Sequence, residues 1–414
     1  MRIGIIGAGV SGLAAGRMLA RHHEVEIYER NEFIGGIAAA RMVDGVPYHV
    51  TGGHCLNSKN SKVMEFVHQV LPKKNWHPVE RIAKISFRGH LIDYPIEFSM
   101  RQIAEFDREL AFRMTRDFLS TSDRPAANLE EWFRIKFGDS LAEEYFIPYN
   151  AKIWGRHPSM MSPDWVDGKL PQPNKQNFFN GLISSEKDEM PHAYFYYPEA
   201  NTQNAFLDAM AEGLEIFRGY EVSQLEKAPG GGWRVNGDRR VDAIISTAPL
   251  NLIPFLIADS PSDVKAAAGL LRYNKVSNVL WESEEVEATW TYFPESSTVF
   301  HRHIHIGNFL RPRLGYTITE AVGDQPRELL EAEGKQFGYL KRAVDFHVSD
   351  HAYVVFDENY SESVKKIKAY LTNVGIHTLG RFGEWEYYNM DICIEKAMQL
   401  AARLGDMAPE NDAS

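Results

Sequence analysis

An apolar run from Ile3 to Ile6 stops at Gly7, a stretch with helical period continues to about Arg21, and a second run, Glu24 to Tyr28, ends one residue before Glu29. That alternation predicts strand, helix, strand. Ala38 to Tyr48 reads as a hairpin turning at Asp44-Gly45. Ser61 to Leu71 places Val63, Phe66, Val67, Val70 and Leu71 at helical spacing. A strand pair, Ala83–Phe87 and His90–Tyr94, turns at Arg88-Gly89. From Met100 to about Phe137 the pattern is that of amphipathic helices, interrupted at Pro125 and stopped at Gly138. Aromatic residues crowd between Tyr145 and Trp165, and Thr202–Leu214 reads as a helix. Short strands are expected at Glu215–Phe217, Glu221–Leu225, Trp233–Val235 and Ala243–Ser246, the middle pair flanking Pro229-Gly-Gly-Gly232. Further strands are expected at Val276–Trp281 and Trp290–Phe293, and Gly375 to Leu404 reads strand, loop, helix.

These elements predict an α/β fold: a Rossmann-like dinucleotide-binding domain, a helical insertion and an antiparallel-sheet substrate domain. We divide the chain into nucleotide-domain pieces at 1–82, 200–269 and 371–414, a helical insertion at 83–199 and a sheet region at 270–370. A length of 414 residues fits two or three domains. The net charge of −11 excludes a nucleic-acid surface, so an anionic substrate would need a basic pocket inside an acidic envelope. The two cysteines, Cys55 and Cys393, lie far apart, which argues for a reducing, cytoplasmic compartment. No run of 18 apolar residues is present, so no membrane span is expected. The sequence leaves open a homodimer.

The first unit carries chemistry. Gly7, Gly9 and Gly12 stand in G-x-G-x-x-G spacing between strand and helix, and Glu29 follows Gly9 by 20 residues. Gly7 permits the turn, Gly9 lets backbone approach a pyrophosphate, and Gly12 lets the helix pack on the sheet. The helix N-terminus favours phosphate, and Glu29 is placed to accept from ribose hydroxyls. Arg30 follows it, and a second glycine pair, Gly35-Gly36, comes shortly after. That extension resembles the fingerprint of FAD enzymes of the two-dinucleotide-binding superfamily, with NAD the weaker choice and a plain surface turn the bland alternative. Gly52-Gly53-His54 would bring backbone near a flat ring and set His54 facing it. Cys55 has no basic partner in sequence and reads as a small buried residue. His301, His303 and His305 alternate as on one face of a strand; a solvated or substrate-facing strand is the preferred reading over a metal site.

Four stretches carry a family resemblance. Besides the N-terminal fingerprint, Gly52-Gly53-His54 is similar to a Gly-Pro-His motif, and Tyr149-Asn-Ala-Lys152-Ile-Trp154-Gly155 is close to Tyr-x-x-Lys-x-Trp-Gly. Leu379-Gly380-Arg381-Phe-Gly-Glu-Trp385-Glu-Tyr387-Tyr388-Asn389-Met390-Asp391 resembles a C-terminal Gly-Arg…Met-Asp motif. The chain thus resembles the UDP-galactopyranose mutases, within the amine-oxidase-like flavoproteins. Phe300-His-Arg302 also resembles that family's Phe-Thr-Arg.

The resemblance implies reduced FAD, whose N5 attacks the anomeric carbon of a nucleotide-diphospho sugar, so that ring size changes with no net redox. It implies catalytic roles for His54, Trp154, Arg302 and Tyr387. It implies cofactor contacts from Gly7, Gly9, Gly12, Glu29, Arg30, Gly35, Gly36, Gly53, Arg381, Met390 and Asp391. It implies substrate contacts from Tyr149, Trp154, Lys169, Arg302 and Tyr387, and no metal. One departure stands out: where the family has Arg-Ile-Pro-Val-Arg, this chain has Lys169-Leu-Pro-Gln-Pro173, so one phosphate-binding arginine is missing. The alternatives are a net FAD-dependent oxidoreductase of amine-oxidase or desaturase type, accepting hydride at N5, and a non-enzymatic flavoprotein.

Overall fold

The structure, a computed structural model, describes residues 1–163, 166, 174–183 and 193–405. Trp165, Lys169 and Pro173 lie outside the described residues. The N-terminal pattern folds as its period predicts. Arg2–Ile6 pairs in parallel with Glu24–Tyr28 on one side and Ala243–Ser246 on the other. The complete parallel sheet runs Ile376–Thr378, Ala243–Ser246, Arg2–Ile6, Glu24–Tyr28, Glu215–Phe217. It is assembled from three separated parts of the chain. The order reverses at Arg2–Ile6, the crevice where dinucleotides bind in such sheets.

The helix Val10–Leu19 packs on this sheet because Gly12 has no side chain: a Cβ there would overlap the Gly7 carbonyl oxygen. The last helix, Met390–Gly405, lies against Val10–Leu19 and shares its core through Ile394, Ala397 and Leu400.

A seven-stranded sheet forms the second layer, in the order Leu340–Val355, Arg272–Ser283, Tyr316–Val322, Phe300–Ile304, Trp290–Tyr292, Ala83–Phe87, His90–Asp93. All neighbours are antiparallel except Trp290–Tyr292 with Ala83–Phe87. The hairpin read near residue 88 therefore belongs to this sheet. The Val276–Trp281 segment is the centre of a longer strand whose partner, Leu340–Val355, runs 16 residues. Two smaller differences concern turns. The strand expected at Glu221–Leu225 begins only at Leu225 and pairs across the triglycine turn with Trp233–Val235, because Asn236 accepts from the Ser223 and Gln224 amides and holds the preceding residues as a loop. Phe195 and its neighbours form a strand, Tyr194–Pro198, against Trp76–Glu80.

The helical layer is Met100–Phe106, Arg108–Leu119, Leu129–Phe137 and Ile147–Trp154. Asp107 and Asn128 cap the second and third, accepting from the amides of Leu110 and Glu131. A π-helical stretch, Ala142–Phe146, precedes the fourth, where Pro148 removes a backbone donor. It sets Tyr145 and Tyr149 in parallel, 5.5 Å apart.

Candidate active site

Between the two sheets and the helical layer lies one large cavity of about 1210 Å³. At one end stand the glycine turn and Glu29. The Gly35 amide donates to the Ala8 carbonyl at 2.8 Å, which seats the second glycine pair directly against the first. Glu29 Oε2 accepts from the Ala8 amide at 2.8 Å and Oε1 from the Asn31 amide at 2.9 Å. Oε1 also accepts from Asn31 Nδ2 at 2.9 Å, and since a carboxylate offers about four lone-pair sites, Oε2 keeps capacity for a ribose hydroxyl. Gly7, Gly9, Glu29, Arg30, Gly35, Gly36, Gly53, Arg381, Met390 and Asp391 all line this one cavity, and Met390 opens the last helix toward it. Gly12 does not line it and acts through packing alone.

Arg381 donates from Nη2 to the Ala352 carbonyl at 2.9 Å, and its guanidinium lies 4.4 Å from the centre of the Tyr387 ring. Its Nε is buried and makes no hydrogen bond among the described residues. An orphaned charged donor beside a glycine cradle and a helix N-terminus is what a bound anionic dinucleotide would satisfy.

At the other end the seven-stranded sheet presents Arg302. Its Nε donates to Glu320 Oε1 at 2.9 Å, and its Nη2 lies 2.7 Å from the same oxygen and 2.9 Å from the Tyr353 hydroxyl. Gly52 makes room for this pair: its φ is +87°, and a Cβ there would come within 2.5 Å of Arg302 Nη2. Glu320 is buried. Burial alone would raise its pKa, but Arg302, His301 and Tyr353 outweigh that and hold it at about 2. Tyr353 stacks in parallel on Tyr387 at 6.1 Å, and Trp154 meets both edge-on. Trp154 is buried, with its indole N–H on Asn150 Oδ1 at 3.0 Å, and Trp154, Tyr149, Arg302 and Tyr387 all line the cavity.

His54 also lines it. Its Nε2 sits 2.9 Å from the Thr51 carbonyl, which can only accept, so the ring proton is assigned to Nε2 and Nδ1 carries the lone pair. Burial, and then Arg381, push its pKa down to about 4, so the ring is neutral at pH 7. Cys55 is half-buried rather than packed away, lines the cavity, and its thiol is pushed up to about 11 by burial, which keeps it protonated.

The three histidines depart from expectation. A bulge between Phe300 and Arg302 breaks the alternation. His301 lies 2.9 Å from Glu320 and reaches the cavity. His303 packs among Phe293, Phe300 and Phe337, and His305 bonds Thr291 and Thr317. All three are buried, so the strand is not solvated, and among the described residues no cluster could hold a metal. Lys152, inside the Tyr149–Gly155 motif, donates from Nζ to the carbonyls of Phe293, Glu295 and Phe300 and clamps the loop before Arg302's strand.

Sequence reasoning missed Arg81, Tyr94, Glu97, Tyr145, Tyr292, Glu320 and Tyr353, all cavity-lining. A carboxylate in the otherwise uncharged strand Tyr316–Val322 was a readable signal for Glu320; the others sit in ordinary aromatic or loop contexts.

The sequence profile of flavin-containing amine oxidoreductases matches residues 10–286. This chain belongs to that family. As a family member it is a flavoprotein of mixed α/β fold. Among its relatives, UDP-galactopyranose mutase of Mycoplasma genitalium is 24% identical over 221 residues, 51% of each chain. The dTDP-fucopyranose mutase of Escherichia coli is 26% identical over 175 residues, 40% of this chain and 45% of the relative. The matched region thus spans about half the length of these curated relatives. A solved structure of reduced UDP-galactopyranose mutase superposes with a TM-score of 0.85 at 21% identity, covering 99% of this chain and 96% of that one. The fold is that of the mutases. Among the described residues, no helix is long and apolar enough to cross a membrane.

Proposed function

We propose that this flavoprotein is an isomerase of a nucleotide-diphospho sugar that works with reduced FAD, in the manner of a pyranose–furanose mutase. The observation that carries this reading is Arg302. Glu320 and Tyr353 fix its guanidinium on two sides, while Nη1 makes no hydrogen bond among the described residues, leaving a rigid charged donor at the cavity. A preorganised cation is what a departing diphosphate requires.

FAD, when bound, supplies the N5 nucleophile. The glycine pairs and Glu29 would hold its pyrophosphate and ribose, and Arg381, Met390 and Asp391 would face its flavin side. Tyr149, Trp154 and Tyr387 supply flat walls and hydroxyls for base and sugar. Neutral His54 offers Nδ1 as an acceptor, so it can take a hydrogen bond without adding charge beside Arg381.

A second reading, net amine-oxidase-like chemistry, draws support from the family and from Glu320, which already neutralises Arg302 and lowers the anion demand of the site. Pre-reducing the protein anaerobically and adding UDP-, GDP- and dTDP-hexoses separates the two. The isomerase reading expects a ring-isomerised nucleotide sugar with the flavin still reduced at the end. Bleaching of oxidised protein by an amine, with colour restored by oxygen, would instead establish the second reading.

A further inference from the structure

Three glutamates lie buried in the cavity wall, and they differ sharply. Glu29 is held by the Ala8 and Asn31 amides. Glu320 is matched by Arg302, Tyr353 and His301. Glu97 faces no cation and no side-chain donor among the described residues; its own backbone amide is what its carboxyl meets. It sits in the turn Ile96–Phe98, is 4% exposed, lines the cavity, and makes no hydrogen bond or ion pair with another residue's side chain among the described residues. Burial raises its pKa to about 7. Burying a carboxyl with no cation or hydroxyl bonded to it is costly, and such groups are retained where a ligand completes them.

Its surroundings point the same way. Tyr94 and Tyr145 are the titratable groups beside it, with Arg81, Tyr292 and Tyr387 acting on Tyr94 in turn. The hydroxyls of Tyr94, Tyr145 and Tyr149 make no hydrogen bond among the described residues, although all three side chains line the cavity. Aromatic walls carrying unsatisfied hydroxyls and one carboxyl form a surface suited to a polyhydroxylated ring. They do not suit a purely apolar one.

We propose that Glu97, with the Tyr94 and Tyr145 hydroxyls, is the specificity-determining subsite for the sugar, accepting a hydrogen bond from a hydroxyl or amino group on its ring. This rests on the nucleotide-sugar reading above. Glu97 is the acceptor, and the two tyrosines are free to donate to the same group or its neighbour. A hydroxyl needs only an acceptor, which a glutamine also provides, whereas an ammonium group needs the charge.

The test uses flavin-loaded, pre-reduced protein with the wild-type sequence, Glu97→Gln and Glu97→Ala. The substrates are UDP-hexoses together with their monodeoxy and aminodeoxy analogues. In the wild type, removing the donor at one ring position should lower kcat/KM about a hundredfold, since the analogue leaves a buried acceptor without its donor. In Glu97→Ala that discrimination should vanish. Retention of it in Glu97→Gln marks a hydroxyl partner; its loss there, with an aminodeoxy substrate preferred only by the wild type, marks an amino group. Flavin content and UDP affinity should be the same in all three proteins, which a merely structural role for Glu97 would not allow. If Glu97→Ala discriminates among the deoxy analogues as the wild type does, the subsite is elsewhere while the isomerase reading stands. If the wild type neither binds UDP nor turns over any nucleotide sugar, the underlying reading fails and this one with it.

Discussion

Replacing Glu320 by glutamine should destabilise the protein and at the same time tighten its grip on an anion. The carboxylate is 1% exposed and receives Arg302 at 2.7–2.9 Å and the Tyr353 hydroxyl at 3.0 Å. Its folded pKa of about 2, against an ordinary 4.5, corresponds to about 3 kcal/mol of stabilisation at neutral pH. Opening a buried ion pair by neutralising one partner costs a similar amount, about 3–5 kcal/mol, so the two routes agree. The folded value lies below the unfolded one, so this contribution is complete above pH 4.5 and is lost as pH falls toward 2. Glu320→Gln should therefore melt about 5 °C or more below the wild type at pH 7, with the gap closing under acid. The same change removes a negative charge near the proposed diphosphate position. For a phosphate roughly 7 Å away, repulsion at an effective dielectric of about 20 is about 2 kcal/mol, so UDP should bind at least tenfold tighter. Differential scanning fluorimetry across pH, paired with UDP titration of the same two proteins, reads both signs. Equal melting temperatures, or weaker UDP binding in the variant, would refute the claim that Glu320 offsets an anion-binding arginine.

Three other substitutions probe other parts of the structure. Gly12→Ala puts a Cβ onto the Gly7 carbonyl, so the purified variant should carry little flavin, read as the flavin-to-protein absorbance ratio. Glu29→Ala strips acceptors from the Ala8 and Asn31 amides as well as from the ribose, so FAD affinity should fall about tenfold to a hundredfold, and unchanged affinity in a fluorescence titration would displace Glu29 from the cofactor site. Lys152→Met leaves three carbonyls without their donor and should lower the melting temperature. Burial lowers the Lys152 pKa to about 8, so between about 8 and 10.5 the unfolded chain binds more protons and wild-type stability gains with rising pH; the variant should lack that gain.

The local period made much of the fold legible. The strand–helix–strand unit and the hairpin near Asp44 follow from alternation and glycine placement, and the Gly138 stop from its positive φ of 82°. The order of the large sheet was hidden because it joins Ala83–Phe87 to Trp290–Tyr292 across some 200 residues, and nothing in either short strand names its partner. The site divides along the same line. The cavity-lining glycines were readable because backbone geometry demands glycine at fixed spacing, whereas Arg302's meaning depends on Glu320, which only the folded sheet brings beside it. Lys152 is a clamp on three carbonyls of a loop some 140 residues away, which no pattern around it names. The His301 bulge is likewise invisible in an alternating sequence. Glu97 had no local signal: it stands in the short turn Ile96–Phe98, between the predicted strand pair and helices, where no motif falls.

The central claim is that the bond from the anomeric carbon to the diphosphate breaks and re-forms at this site without net oxidation. Positional isotope exchange tests this directly. A UDP-hexose carrying ¹⁸O in the bridge between sugar and phosphorus is incubated anaerobically with the pre-reduced protein, then recovered and analysed by ³¹P NMR. The account predicts migration of the label from the bridging to the non-bridging position, with the flavin spectrum still that of the reduced form. A label that stays in the bridge under turnover conditions, or one that moves only as the flavin becomes oxidised, would contradict it.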